Sequence, residues 1–267
     1  MKNIALLLTA FILVLQLCSC SQKAELTVDD LLRRAVKHGD NGNWEMARLD
    51  AERAVSENPM NANAVVMYAI SLEHDGKITT ALNEMDKVGS SVPEHFMAQF
   101  TLGRMLYNKG DQGGGSQYFS SALEPLTRAA DLRTESVETQ VLLAMCMTKL
   151  GMYDKAFKVF DKLRKNKQFK DSPEVYNEAG IVMALSYAEE QSQSKLKVSK
   201  SYFHAAFNRG KKTPKVVLNL AVFYDQYLGD KSTSVKLYDR YLSLAKGNHQ
   251  LSSEYDQVKR RRDLISQ

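Results

Sequence analysis

VDDLLRRAVKHGDNGNWEMARLDAERAVSENPMN, residues 28–61, runs straight into ANAVVMYAISLEHDGKITTALNEMDKVGSSVPEH, residues 62–95, and the two stretches align at a spacing of 34. The period continues into a third stretch that starts at Phe96. Gly42, Gly76 and Gly110 keep the interval, as do Ala47, Ala81 and Gly115, and Ala35, Ala69 and Gly103; Pro59 and Pro93 are also 34 apart. A repeat of this length seen at four phases indicates a stack of similar supersecondary units, each unable to bury its apolar face alone.

The phases predict two antiparallel helices per period. Ala35, Ala69 and Gly103 fall where one helix crosses the next and a large side chain would hold the pair apart. Gly42, Gly76 and Gly110 are expected to end the first helix in the left-handed region, which costs glycine little. Ala47, Ala81 and Gly115 are expected to open the contact face of the second helix, followed by Ala54, Val88 and Ala122. Pro59 and Pro93 close their units, because proline cannot continue a helix. Five prolines and fourteen glycines in 267 residues favour helix throughout, so the expected class is all-α.

These residues resemble the tetratricopeptide repeat, with its small-residue pair, an aromatic before the second helix and a closing proline. Trp44-Glu45-Met46-Ala47 through Ala54-Val55-Ser56-Glu57-Asn58-Pro59 carries the likeness most fully. A fourth unit returns after seven extra residues, with Leu143-Ala144, Gly151-Met152-Tyr153-Asp154-Lys155-Ala156, Phe160 and Leu163. Two stretched units follow, pairing Tyr176-Asn177-Glu178-Ala179-Gly180 with Tyr202-Phe203-His204-Ala205-Ala206, and Leu220-Ala221 with Tyr238 and Tyr241. Ser252 to Ile265 reads as a last helix, with Arg260-Arg261-Arg262 suited to a polar cap. The resemblance implies an α-solenoid of about six helical hairpins with a C-terminal capping helix. Residues 28–164 hold repeats one to four, 165–246 hold the two degenerate repeats, and 247–267 hold the basic cap.

The N-terminus reads differently. Lys2 precedes an apolar run from Ile4 to Leu17 that is too short for a stable bilayer span, which is the layout of a signal peptide over residues 1–19. Leu17-Cys18-Ser19-Cys20 resembles the lipobox of bacterial lipoproteins. That resemblance implies cleavage before Cys20, a diacylglycerol thioether on its sulfur, and a short tether over residues 20–27. Ser21 rather than aspartate after the cysteine implies, by likeness to Gram-negative sorting rules, the outer membrane facing the periplasm. An ordinary secretory signal or an uncleaved anchor is the alternative. With Cys20 acylated, Cys146 is the one thiol left in the mature chain and is expected in the core.

The residues offer little chemistry. His38, His74, His95, His204 and His249 are scattered without a second ligand at helical or hairpin spacing, so neither a metal nor a cofactor is expected. Gly113-Gly114-Gly115 lacks the lysine and hydroxyl of a phosphate loop, and no nucleophile elbow or dinucleotide fingerprint occurs. Charge is uneven, with fifteen Lys or Arg against six Asp or Glu from Lys195 onward. A solvated helix face accounts for that excess better than a nucleic-acid surface does.

What remains is a groove. In the repeat family the first helix of each unit lines a concave surface, which places Val66, Ile70, Glu73 and His74, then Met97, Phe100, Arg104 and Tyr107, then Val141, Met145 and Lys149 as binding candidates. An apolar middle with polar ends suits an apolar or helical peptide. The expected role is a membrane-anchored scaffold or assembly factor of the bacterial cell envelope with another envelope protein or peptide as partner; pilus or secretion-system assembly is its sharpest version. A structural homo-oligomer or spacer, and an enzyme without a recognisable motif, are the other classes.

Overall fold

The computed structural model describes residues 26–266, and among these the chain forms thirteen α-helices and no strand. Two units are distinct, one ending at Val92 and one beginning at Pro93. The signal peptide, Cys20 and most of the tether lie outside the described residues.

In the first unit, α1 (Val28–Asp40) and α2 (Trp44–Glu57) form one hairpin, and α3 (Ala62–His74) and α4 (Ile78–Gly89) the next. Three of the four starts are capped by side chains. Thr27 accepts from the Asp30 amide while Asp30 answers to the Thr27 amide, a capping box; Asn43 and Asn61 accept from Met46 and Ala64. Gly42 and Gly76 turn the hairpins with φ of +73° and +74°, as their phase predicted. Helix α1 packs on α2, α2 on α3, α3 on α4, and α1 also reaches α3. Alanine makes this closeness possible, since Ala35, Ala47, Ala51, Ala54, Ala64, Ala69 and Ala81 are fully buried. Trp44 lies across Gly39 and stacks on His74 with ring centroids 3.6 Å apart and planes within 4°.

The second unit holds α5 (Phe96–Lys109), α6 (Ser116–Leu132), α7 (Val137–Lys149), α8 (Tyr153–Leu163), α9 (Pro173–Glu190), α10 (Gln193–Arg209), α11 (Pro214–Gln226), α12 (Lys231–Ala245) and α13 (Ser252–Ile265). Consecutive helices pack on one another throughout, giving four hairpins and a final helix. The eighth residue of every first helix is Ala or Gly: Ala35, Ala69, Gly103, Ala144, Gly180 and Ala221, all buried. The reason is direct at Gly103, where a Cβ would lie 2.6 Å from Leu126 Cγ, and at Gly180, where it would meet the Phe203 ring at 3.0 Å.

Two expected phases fail in the third hairpin. Gly110 has φ of −62° and is buried against Phe119; the chain runs on through a π-type turn, Gly110–Gly114, and the left-handed positions move to Gly113 and Gly115. Gly115 is therefore an exposed residue ahead of α6, not part of its contact face. Phe119, four residues later, occupies the interior instead and meets Tyr107 edge-on at 5.4 Å. The seven extra residues are taken up by this turn and by the lengthening of α6 to 17 residues. The polar stretch Ser192 to Lys200 is likewise helical from Gln193, the first turns of α10.

Helix α13 covers α12 with Val258 and Ile265, which join Tyr241, Leu242 and Ala245 in one core. Arg261 clamps Asp225 of α11 through two hydrogen bonds of 2.7 and 2.9 Å, and the Tyr238 hydroxyl donates to the same carboxylate at 3.0 Å. Arg262 pairs with Asp239 at 2.9 Å. The arginine triplet thus fastens the cap, and two of its three cations are spent inside the fold rather than offered to a partner. Cys146 is a core residue whose thiol donates to the Phe119 carbonyl at 3.1 Å.

Candidate binding face

First helices approach each other within each unit, α1 to α3, α5 to α7 and α9 to α11, and no contact of equal extent joins the second helices. A stack whose inner members are closer than its outer members curves toward the inner ones. The first helices therefore line the inside of each unit, and side chains spaced three or four apart on them project there.

The expected residues divide between the inner faces of the two units. In the first, Ile70 and Glu73 are partly exposed and His74 stands at the rim with its ring committed to Trp44, but Val66 is buried. In the second, Met97 is 37% exposed, and Arg104, Val141 and Met145 are half-buried. Phe100 and Tyr107 are buried and correct the expectation: Phe100 stacks on Phe96 at 5.8 Å, and Tyr107 belongs to the core around Phe119 and Cys146. Burial pushes the Tyr107 phenol far up, with Asp111 and Glu178 adding to the effect. Lys149 is exposed yet engaged, bound to Asp111 at 2.6 Å and set 5.6 Å above the Phe119 ring.

The register explains which residues stay open. The fifth residue of each first helix, among them Val66, Phe100, Asn177 and Leu218, fills the space where neighbouring helices come together and is buried in these four cases. The ninth residue lies one turn further along and remains open: Val36, Ile70, Arg104, Met145, Ile181 and Val222, with Val36 49% exposed. Five of these six are apolar. A recurring apolar residue that packs against the core on one side and stays partly exposed on the other makes this face a candidate binding surface.

Sequence reasoning stopped the inner face at Lys149 and missed its continuation. Ile181 and Leu185 of α9 face Val222 and Gln226 of α11 across a cleft of about 180 Å³. Beside it the Asn219 amide donates to Asn177 at 3.1 Å, and the Asn177 amide donates to Glu178 at 3.3 Å. Burial raises the Glu178 carboxyl, a shift opposed by Lys215, the Asn177 hydrogen bond and Lys149. Val36 and Ile181 share their phase with Ile70 and Met145, which is the signal that would have found them.

The basic C-terminal third offers less free charge than its composition promises. Arg261 and Arg262 are paired, Lys195 meets both Asp154 and Glu190, and Arg209 lies 4.0 Å above the Tyr176 ring. Among the described residues, no cluster of His, Cys, Asp and Glu is placed to hold a metal ion, and no helix is long and apolar enough to cross a membrane.

Comparison with known proteins agrees with this architecture. A family model described as tetratricopeptide repeat matches residues 138–166, the fourth hairpin. No curated protein sequence matches. Among solved structures, PilF of Pseudomonas aeruginosa superposes with a TM-score of 0.60 at 18% identity, covering 88% of this chain and 97% of that one. A tetratricopeptide repeat protein from Parabacteroides merdae gives 0.59 at 15% identity, covering 88% and 85%. YrrB gives 0.53 at 17% identity, covering 78% and 97%. The chain has the tetratricopeptide-type fold.

Proposed function

We propose that this chain is a lipid-anchored scaffold or assembly factor of the bacterial cell envelope that holds an apolar or helical segment of another envelope protein against its inner faces. The observation that carries the binding half is the apolar residue, exposed or partly exposed, at the ninth position of five first helices. Covering what remains exposed of each such side chain contributes only a fraction of the about 1.5–3 kcal/mol of a complete burial, so several must act together to set affinity. The structural relative YrrB is described as having an unusual peptide-binding site, which supports a peptide as the ligand form.

The anchoring half rests on Leu17-Cys18-Ser19-Cys20 and the short stretch that follows. Ser21 to Thr27 span at most ~25 Å when extended, which keeps the first hairpin near the membrane that the acyl chains enter. A role in assembling a pilus or secretion-system component of the outer membrane is the specific form of the proposal, and the likeness to PilF supports it at the level of fold.

Crosslinking in the native host, followed by identification of partners, tests the whole reading. Met145→Glu and Val222→Glu are expected to lose the partner while retaining the helical spectrum. Substituting Phe100 or Tyr107 would instead report on stability, because both are buried. Recovery of the same partners by both charged variants would sink the inner-face assignment. Cys20→Ala is expected to abolish acyl labelling and retain the uncleaved precursor; normal processing of that variant would remove the anchor.

A further inference from the structure

The inner face of the fifth and sixth hairpins combines two features that a general scaffold does not require. One is the cleft between α9 and α11, lined by Ile181, Leu185, Val222, Gln226 and Tyr227 among others. The other is Glu178, one turn before Ile181 on the same helix, at the end of the hydrogen-bonded series Asn219, Asn177, Glu178. Among the described residues no ion pair engages Glu178. Lys149 is held by Asp111 at 2.6 Å, and Lys215 stands exposed at the start of α11.

We propose that the partner segment places an apolar side chain in the cleft between α9 and α11 and, one helical turn away, a lysine or arginine on Glu178. This rests on the inner face being the binding surface, and adds the chemistry of what binds there. A wholly apolar segment would seal Glu178 from water with one long hydrogen bond and the unbonded charges of Lys215 and Lys149 for compensation, and an incompletely compensated charge is costly to bury. An acidic segment would add repulsion. A cation supplies charge-assisted hydrogen bonds where solvent is scarce and such bonds are strongest. Glu178 therefore acts against most apolar sequences as well as for one kind, which is how a sticky cleft acquires selectivity.

The test is selection of a random 12-residue peptide library displayed on phage against the immobilised full-length chain in detergent. Selected peptides are then titrated by fluorescence anisotropy against the parent chain, Glu178→Gln, Ile181→Glu and Val222→Asn. The expected result is enrichment of peptides pairing a large apolar residue with Lys or Arg three or four positions away. Replacing that cation by glutamine should weaken binding to the parent at least tenfold and to Glu178→Gln less than threefold. Peptides that bind through Ile181 or Val222 but show no cation preference, or that bind Glu178→Gln with the preference intact, overturn the Glu178 assignment and leave the inner face standing. Failure to select any peptide, or selection of peptides indifferent to both Ile181→Glu and Val222→Asn, overturns the inner-face reading as well. Glu178→Gln preserves side-chain shape, so its outcome does not depend on a variant that fails to fold.

Discussion

Gly103→Ala pits two opposing effects against each other, and the geometry decides the sign. Gly103 is interior to α5, where replacing glycine by alanine ordinarily gains about 1 kcal/mol of helix stability. Here the new methyl would sit 2.6 Å from Leu126 Cγ, 2.8 Å from its Cδ2 and 3.1 Å from its backbone nitrogen. Carbon contacts are comfortable at about 3.5–4.0 Å. The Leu126 side chain can rotate, but its backbone nitrogen yields only if α6 shifts. Overpacking of this kind costs about 1–3 kcal/mol, so the net expectation is a loss of about 1 kcal/mol and a melting temperature lower by about 2–4 °C. Far-UV circular dichroism with heat or urea reads it. A double-mutant cycle with Leu126→Ala isolates the contact: alone that change should cost about 2–5 kcal/mol, and in the Gly103→Ala background at least about 1 kcal/mol less, because the added methyl partly fills the vacated space. A Gly103→Ala protein more stable than its parent, or a strictly additive cycle, would refute the claim that close helix approach selects glycine at this phase.

Arg261→Met should destabilise the C-terminal cap by about 1–2 kcal/mol near neutral pH, the full cost of breaking a buried pair being reduced because the guanidinium is half exposed. Hydrogen bonds from Arg261, together with Tyr238 and against the cost of burial, hold the Asp225 carboxyl below the usual carboxylate range. A carboxylate depressed on folding contributes stability that is complete above its unfolded-state value, about 3.9, and is lost as pH falls through the folded value. The gap between parent and variant should therefore be flat from about pH 8 to 6 and close only in acid; a gap that widens in acid would contradict the assignment. Burial pushes the Cys146 thiol up to about 11, so a thiol reagent at pH 8 should label it only after denaturation. Labelling of the native protein within minutes would place that residue outside the core. Trp44 is the one tryptophan of the chain, and its ring lies flat on His74. His74→Ala should shift Trp44 emission to the red by opening that face to water, and an unchanged spectrum would argue against the stack.

The fold was legible to the extent that each repeat kept its length. Gly42 and Gly76 adopt the left-handed turn their phase predicted, and the buried small residue recurs from Ala35 to Ala221 through all six hairpins. Gly110 and Gly115 misled because an insertion leaves residue types in place while moving their roles. Once Gly113 and Gly115 took over the turn, α6 began later and Phe119 inherited the interior position opposite Tyr107. Composition could not reveal this, since glycine suits both a tight turn and a crowded crossing. Gly110 serves the second use, with the Phe119 ring 2.9 Å from where its Cβ would be.

The binding face was legible in period but not in depth. Fifth and ninth residues of a first helix both point inward, and both positions are mostly apolar in the sequence, so Val66 and Ile70 look equivalent. What separates them is the distance between neighbouring first helices at each level, a property of the stack and not of any one helix. Near the fifth residue α9 and α11 are close enough for Asn177 and Asn219 to share a hydrogen bond; by the ninth they have parted around a cleft. The same divergence makes a charged residue tolerable at Glu178, at the boundary between the closed and open levels, where it is crowded without being sealed. Reading the hairpins as equivalent units identifies the face proposed for a partner, and the charged residues on it, Arg104 in the third hairpin and Glu178 in the fifth, are where that partner's chemistry is expected to be tested.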